Sequence, residues 1–338
     1  AKACNRRRMM ACTTSIGPGA LNMVTAAGVA HVNRLPVLLL PGDVFANRAP
    51  DPVLQQVEDF GDGTVSANDC LRPVSRYFDR ITRPEQAIGA LNRAMQVLTD
   101  PAACGPVTLS LCQDVQAEAF DYPESLFEER IWVPRRQQPD EREVALAAEL
   151  LENAANPLII AGGGVHYAEA WPALQRFAER HNVPVAMTQA GKSALPDSHP
   201  LCLGAIGVTG TSAANRMAED ADVIVAVGTR LQDFTTGSWA LFKNLDMRII
   251  GLNVQPFDAG KHDAQPLVCD AGIGLDKLTV MLGDWTTGDA LAKVVSTARA
   301  EWSNDADAVT AASNTDLPSD AQVIGAVQRA SGGNTTLV

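Results

Sequence analysis

The stretch CTTSIGPGALNMVTAA, residues 12–27, decides how the chain must be read. A short polar strand end meets Gly17-Pro18-Gly19, and a small-residue, helix-forming run begins at once. A strand that hands over to a helix this abruptly is half of a parallel α/β unit. Glycines at the strand tip let the backbone approach another surface closely, and Pro18 is tolerated in the first turn of a helix.

The alternation continues downstream. Strands are expected at residues 9–13, 37–40 and 107–111, with helices over 20–32, 52–60 and 84–98. The tract DYPESLFEERIWVPRRQQPDERE, residues 121–143, is charged, proline-containing and aperiodic, and reads as an interdomain linker. A second α/β series follows: helix 143–153, strand 157–161, Gly162-Gly163-Gly164, helix 168–180, strand 183–187, helix 212–219, and strands 223–227 and 248–253. Beyond residue 282 the pattern gives a helix near 290–302, a loose polar tract, a helix over 321–330, and the start of a strand in GGNTTLV, residues 332–338. The strands are nearly all apolar, as in sheets covered on both faces. The fold class is therefore α/β, with two three-layer parallel-sheet domains, the second Rossmann-like. The expected divisions are residues 1–132, 133–285 and 286–338.

Bulk properties narrow the function. With 46% hydrophobic residues a sizeable core can form, and a net charge of −12 disfavours nucleic acid and anionic membranes as partners. The seven cysteines include no CxxC pair, so neither a zinc site nor a disulfide framework is expected. No apolar run approaches the length of a membrane span. A cytoplasmic protein is the expectation.

Three tempting motifs fail on context. AMTQAGKS, residues 186–193, resembles a phosphate loop, but Pro196 and Pro200 preclude the helix that would receive the anion. Gly162 and Gly164 follow a strand, yet Tyr167 stands where a third dinucleotide-binding glycine belongs. Gly61-Asp62-Gly63 with Asn92 imitates a magnesium motif, but VLQQVEDF before it reads as a helix, so a helix-stop turn is expected. No metal ligand is assigned. The remaining feature is the pair of glycine tips, Gly17–Gly19 and Gly42, at one edge of one sheet. Ligands of open α/β sheets sit outside the carboxyl ends of strands. The residues alone leave two readings open, a seat for a planar ring or a pair of ordinary tight turns.

Residues 13–27 and 31–44, TTSIGPGALNMVTAA and HVNRLPVLLLPGDV, resemble the pyrimidine-binding domain of thiamine-diphosphate enzymes of the acetolactate-synthase type. PLIIAGGGV (157–165), ADVIVAVGTRLQDFTTG (221–237) and GLNVQPFDAGKHDAQPLVCDA (251–271) resemble their middle domain. Longer strings, including RPVSRYFDRITRPEQ (72–86) and residues 93–124 and 205–242, are similar to the ring-opening dione hydrolases of that family. The resemblance implies an enzyme using thiamine diphosphate and Mg2+ to open a small cyclic polyol dione to a 5-deoxy sugar acid during myo-inositol degradation. It implies a homo-oligomer as the complete protein. It also implies that the family's catalytic glutamate and its metal-binding domain lie outside these residues. The chain is then an internal piece, inactive alone, with an incomplete pyrimidine-binding domain and no catalytic residue of its own. Carried over by position, Gly17, Pro18, Gly19, Asn22, Gly42 and Asp43 would bind the cofactor, bordering its pyrimidine ring. Asp43 stands where acetolactate synthases usually carry Gln, which argues for different substrate chemistry. Arg72 would face the substrate or join a surface ion pair. The alternatives are an acetolactate-synthase-like carboligase and a nucleotide- or flavin-binding module.

Overall fold

Every strand pairing among the described residues is parallel. The computed structural model describes residues 2–50, 52–57, 59–313, 316–332 and 335. They divide between two units, Ala1–Gln137 and Gln138–Val338.

The first unit runs β1 (Met10–Thr14), α1 (Pro18–Leu21), α2 (Met23–Val32), β2 (Val37–Asp43), β3 (Tyr77–Ile81), α3 (Gln86–Thr99) and β4 (Pro106–Cys112). The sheet order is β1-β2-β4-β3. Side chains alternate across a strand, so each strand serves two layers. Val107 and Leu109 of β4 pack with Ala90, Ala94 and Leu98 of α3 on one face. Leu39 of β2 packs with Met23 and Ala27 of α2, and with Leu71, on the other.

Two expectations need correction here. The helix expected over 52–60 does not form among the described residues of that stretch. Gln55 takes φ +65, outside the helical region, and its backbone lies against Gly17 instead. Gly61-Asp62-Gly63 is therefore no helix stop. Asp62 accepts bonds from the Thr64 amide at 2.9 Å and hydroxyl at 2.5 Å, closing a local turn. The helix expected over 20–32 is interrupted at Asn22, which joins α1 to α2. β3 escaped the sequence reading because YFDRI carries polar side chains, which an edge strand paired only with β4 accommodates.

The second unit runs α4 (Glu141–Glu152), β5 (Pro157–Ala161), α5 (Gly163–Tyr167), α6 (Trp171–His181), β6 (Val185–Met187), β7 (Cys202–Ala205), α7 (Ser212–Asp220), β8 (Val223–Val227), α8 (Asp233–Thr236), β9 (Arg248–Asn253), α9 (Pro256–Gly260), β10 (Gln265–Val268), α10 (Ala271–Leu282), α11 (Asp289–Thr310) and α12 (Asp320–Ala330). Local chemistry starts the helices: Asp140, Thr211 and Asp270 side chains cap α4, α7 and α10 by accepting first-turn amides. The sheet order β10-β9-β8-β5-β6-β7 is the doubly wound arrangement, in which chain direction across the sheet reverses between β5 and β8. β7 and β10 are short edge strands, too brief to show a period in sequence. One face carries α4, α6 and α10. The other carries α7 and α11, with Leu291, Val295 and Ala298 of α11 in its core. Residues after 286 thus include a helix built into the second unit. α11 also continues through the tract read as loose, to Thr310. The strand expected in GGNTTLV falls largely outside the described residues.

His181 ends α6 fully buried. Its Nδ1 donates to the Trp285 carbonyl at 2.7 Å, and its Nε2 has no partner among the described residues. Burial, with the Arg180 charge adding to it, pushes the ring's pKa below the ordinary value despite the Trp285 bond. The unfolded chain then binds the proton more readily. The resulting stability is complete above the unfolded value of about 6.5 and declines as pH falls, by up to about 1.4 kcal/mol per unit. Urea unfolding of the second unit at pH 7.5 and pH 5.5 is expected to show this loss, and His181→Gln is expected to flatten it. An equal slope in both proteins would contradict the assignment.

Candidate functional site

The register of β1 and β2 builds the site. Thr13 pairs with Leu40 and Thr14 with Pro41, so the chain leaving β1 at Ser15 runs beside Gly42. A methyl group on Gly42 would stand 3.4 Å from the Ile16 amide nitrogen and 3.6 Å from the Thr14 carbonyl. The two glycine tips named from sequence therefore form one continuous rim. Gly17 has φ +69, a conformation that favours glycine. Its outer side is already taken: a methyl group there would collide with the Gln55 carbonyl. The Ser15 hydroxyl donates to Gln55 Oε1 at 3.1 Å, adding a second tie between the rim and the segment 52–57. Pro18 lies exposed in the first turn of α1, Gly19 sits over Ser15, and Asn22 is exposed at the joint of α1 and α2.

Asp43 takes a different place from the one its sequence position suggested. It is fully buried. Oδ2 accepts from Arg80 Nε at 2.7 Å and from the Ser110 hydroxyl at 2.5 Å, and Oδ1 accepts from the Val44 amide at 2.8 Å. These bonds turn the carboxylate into the domain. Arg72 forms an ion pair with Asp69 at 2.6 Å and lies 4.1 Å over the Phe78 ring. Of the two readings open for Arg72, the geometry realises the ion pair.

Sequence reasoning missed the groups that hold this rim. Arg80 Nη2 bonds Ser66 Oγ at 2.9 Å and Asp69 Oδ2 at 3.0 Å. Asn68 is buried, and its Nδ2 donates to the Gly42 carbonyl at 2.9 Å and to Ser110 Oγ at 2.6 Å. Burial opposes ionisation of Asp69, but its bonds from Ser66, Arg72 and Arg80 prevail and hold its pKa below the usual carboxylate value. Burial, reinforced by the Asp43 charge, pushes the Cys112 thiol up to about 12. The Asp114 carboxylate accepts the Ala46 and Asn47 amides at 2.8 and 3.1 Å, tying the chain after β2 to the end of β4. No signal in the sequence marked them, because Arg80 lies on a strand, YFDRI, whose polar pattern hid it. Among the described residues no cluster of three His, Cys, Asp or Glu side chains is placed to hold a metal ion. No helix among them is long and apolar enough to cross a membrane.

In the second unit the reversal point between β5 and β8 is filled by backbone. The Gly162 amide donates to Val227 O at 2.8 Å and the Gly164 amide to Gly228 O at 2.9 Å. A methyl on Gly164 would stand 2.6 Å from Gly228 Cα. His166 is pinned between the Lys192 carbonyl at 2.8 Å and Trp171 Nε1 at 2.7 Å. The glycines after β5 thus serve close packing of loop on loop.

Residues 144–278 match the model of the thiamine pyrophosphate enzyme central domain. The chain is 50% identical over 305 residues to the 3D-(3,5/4)-trihydroxycyclohexane-1,2-dione hydrolase of Geobacillus thermodenitrificans, covering 90% of this chain and 47% of that protein. It is 51% identical over 282 residues to the protein of the same name from Clostridium perfringens, covering 83% of this chain and 44% of the relative. For the Clostridium tetani protein of that name the identity is 48% over 305 residues, 90% of this chain and 47% of the relative. The chain spans about half the length of the curated relatives it matches.

Proposed function

We propose that this chain forms the pyrimidine-facing and central parts of a thiamine-diphosphate-dependent C–C hydrolase that opens trihydroxycyclohexane-1,2-dione. The observation that carries the reading is the 50% identity sustained over 90% of the chain to a hydrolase named for that substrate. The first unit would be the pyrimidine-binding domain. Gly42, with the backbone of residues 14–16, would border the cofactor ring. This side of the rim fits a flat group, since Gly42 is partly exposed and an added methyl meets nothing closer than 3.4 Å. The Gly17 side fits one only once Gln55 moves. The cofactor supplies an electron sink for cleavage of a C–C bond next to a carbonyl, and the protein supplies orientation. Mg2+, a homo-oligomeric state and a cytoplasmic location belong to the same proposal.

The test uses the full-length product of the gene that encodes this chain. With thiamine diphosphate and Mg2+ it is expected to turn over the dione, while the chain of 338 residues alone gives no turnover. Turnover by the chain alone would refute the fragment reading. Carboligation of pyruvate in place of dione hydrolysis by the full-length protein would refute the assigned reaction.

A further inference from the structure

We propose that Asn68 is a positioning residue for the cofactor-bordering rim, a step that rests on the thiamine-diphosphate reading above. Its side-chain amide ties the 3-10 turn Ala67–Leu71 to the Gly42 carbonyl and so fixes the peptide plane on which the ring would rest.

The orientation of that amide is dictated from below. The Asp43 carboxylate can only accept, so the Ser110 hydroxyl spends its proton on Oδ2. Ser110 Oγ must then accept from its other neighbour, Asn68 Nδ2, at 2.6 Å. The second proton of Nδ2 is left for Gly42 O at 2.9 Å. With the amide flipped, its oxygen would face the Gly42 carbonyl and one acceptor would oppose another. Donation runs both ways from Asn68, outward to the rim carbonyl and inward through Ser110 to Asp43, which Arg80 also holds by donating from its other side.

A second observation separates this from ordinary loop fastening. Asn68 Oδ1 is buried and has no partner among the described residues. A buried orphan acceptor costs about 1–3 kcal/mol, and such a group in a folded protein calls for an explanation. Asn68 tolerates that cost because Nδ2 reaches two acceptors at once, one of them on the rim.

The experiment measures thiamine diphosphate affinity by calorimetry with Mg2+ in the full-length protein, together with melting temperature. Asn68→Ala is expected to raise the dissociation constant about tenfold, the loss of one well-placed hydrogen bond. Ser110→Ala keeps the Gly42 bond but frees the amide to rotate, and is expected to raise it about threefold. Ser110→Thr, which restores a hydroxyl, is expected to bring affinity back. A lowered melting temperature with unchanged affinity in Asn68→Ala overturns the proposal. Should Asn68→Ala fail to fold, wild-type affinity in Ser110→Ala overturns it. Absence of cofactor binding by the wild-type protein refutes the underlying functional reading instead, and the inference falls with it.

Discussion

Replacing Arg80 with methionine is expected to lower the stability of the first unit by about 3–5 kcal/mol, the range for removing one partner of a buried ion pair. The effect comes from what is left behind. Asp43 has no exposed surface, and Arg80, at 2.7 Å, is its only cationic partner among the described residues. Arg80 retains 19% side-chain exposure, so its own desolvation is moderate. Burial works against the guanidinium charge, but the bonds to Asp43 and Asp69 outweigh it and raise its pKa. In the methionine variant Asp43 keeps the Ser110 hydroxyl and the Val44 amide but has no counter-charge. Ser66 and Asp69 lose their tie at the same time. The double variant Asp43→Asn/Arg80→Met removes the stranded charge and is expected to recover part of the loss. Urea unfolding followed by circular dichroism measures both, and a single-variant loss under about 1 kcal/mol would contradict the buried-pair account. Asp69 adds a pH dependence: because its folded pKa is lowered, its contribution is present above the unfolded value of about 3.9 and fades as pH falls below it.

Gly228→Ala is expected to cost the second unit more than about 3 kcal/mol, beyond the usual range for a point substitution. Two effects add. Gly228 has φ +59, and its new methyl would stand 2.5 Å from Gly164 Cα, where only backbone can yield. The loops after β5 and β8 would have to part, breaking the 2.9 Å bond from the Gly164 amide to Gly228 O. Gly260→Ala is the control, since among the described residues the added methyl meets nothing within 4 Å beyond its chain neighbours and its own helix backbone. It is expected to change stability by no more than about 0.5 kcal/mol. Similar losses at both positions would show that the contact at the reversal point is not the cause.

Much of the architecture was legible in the residues. Strands 157–161, 223–227 and 248–253 agree with β5, β8 and β9 residue for residue, because apolar runs buried on both faces carry their own boundaries. The sequence placed Gly17 and Gly42 at the carboxyl ends of strands, and their adjacency follows from a register that no local pattern encodes. What stayed hidden depends on contacts distant along the chain. The run VLQQVEDF has helical composition, yet Gln55 is drawn into a left-handed conformation by its contact with Gly17. Asp43 looked like a group facing a ligand, since burial of a carboxylate can be recognised only when its cation is known. That cation, Arg80, lies on a strand whose polar pattern concealed it. Asn68 had no signature, because nothing about an isolated asparagine reveals that both its amide protons are committed.

The Gln55 carbonyl resting on Gly17 has a thermodynamic consequence. Anything flat that settles there competes with a tenant already attached to the same polypeptide, at an effective concentration on the order of millimolar. A measured association constant would report the intrinsic grip scaled down by the fraction of molecules in which that tenant has stepped aside. Trimming the segment 52–57 would tighten the grip without adding a single new contact to the guest.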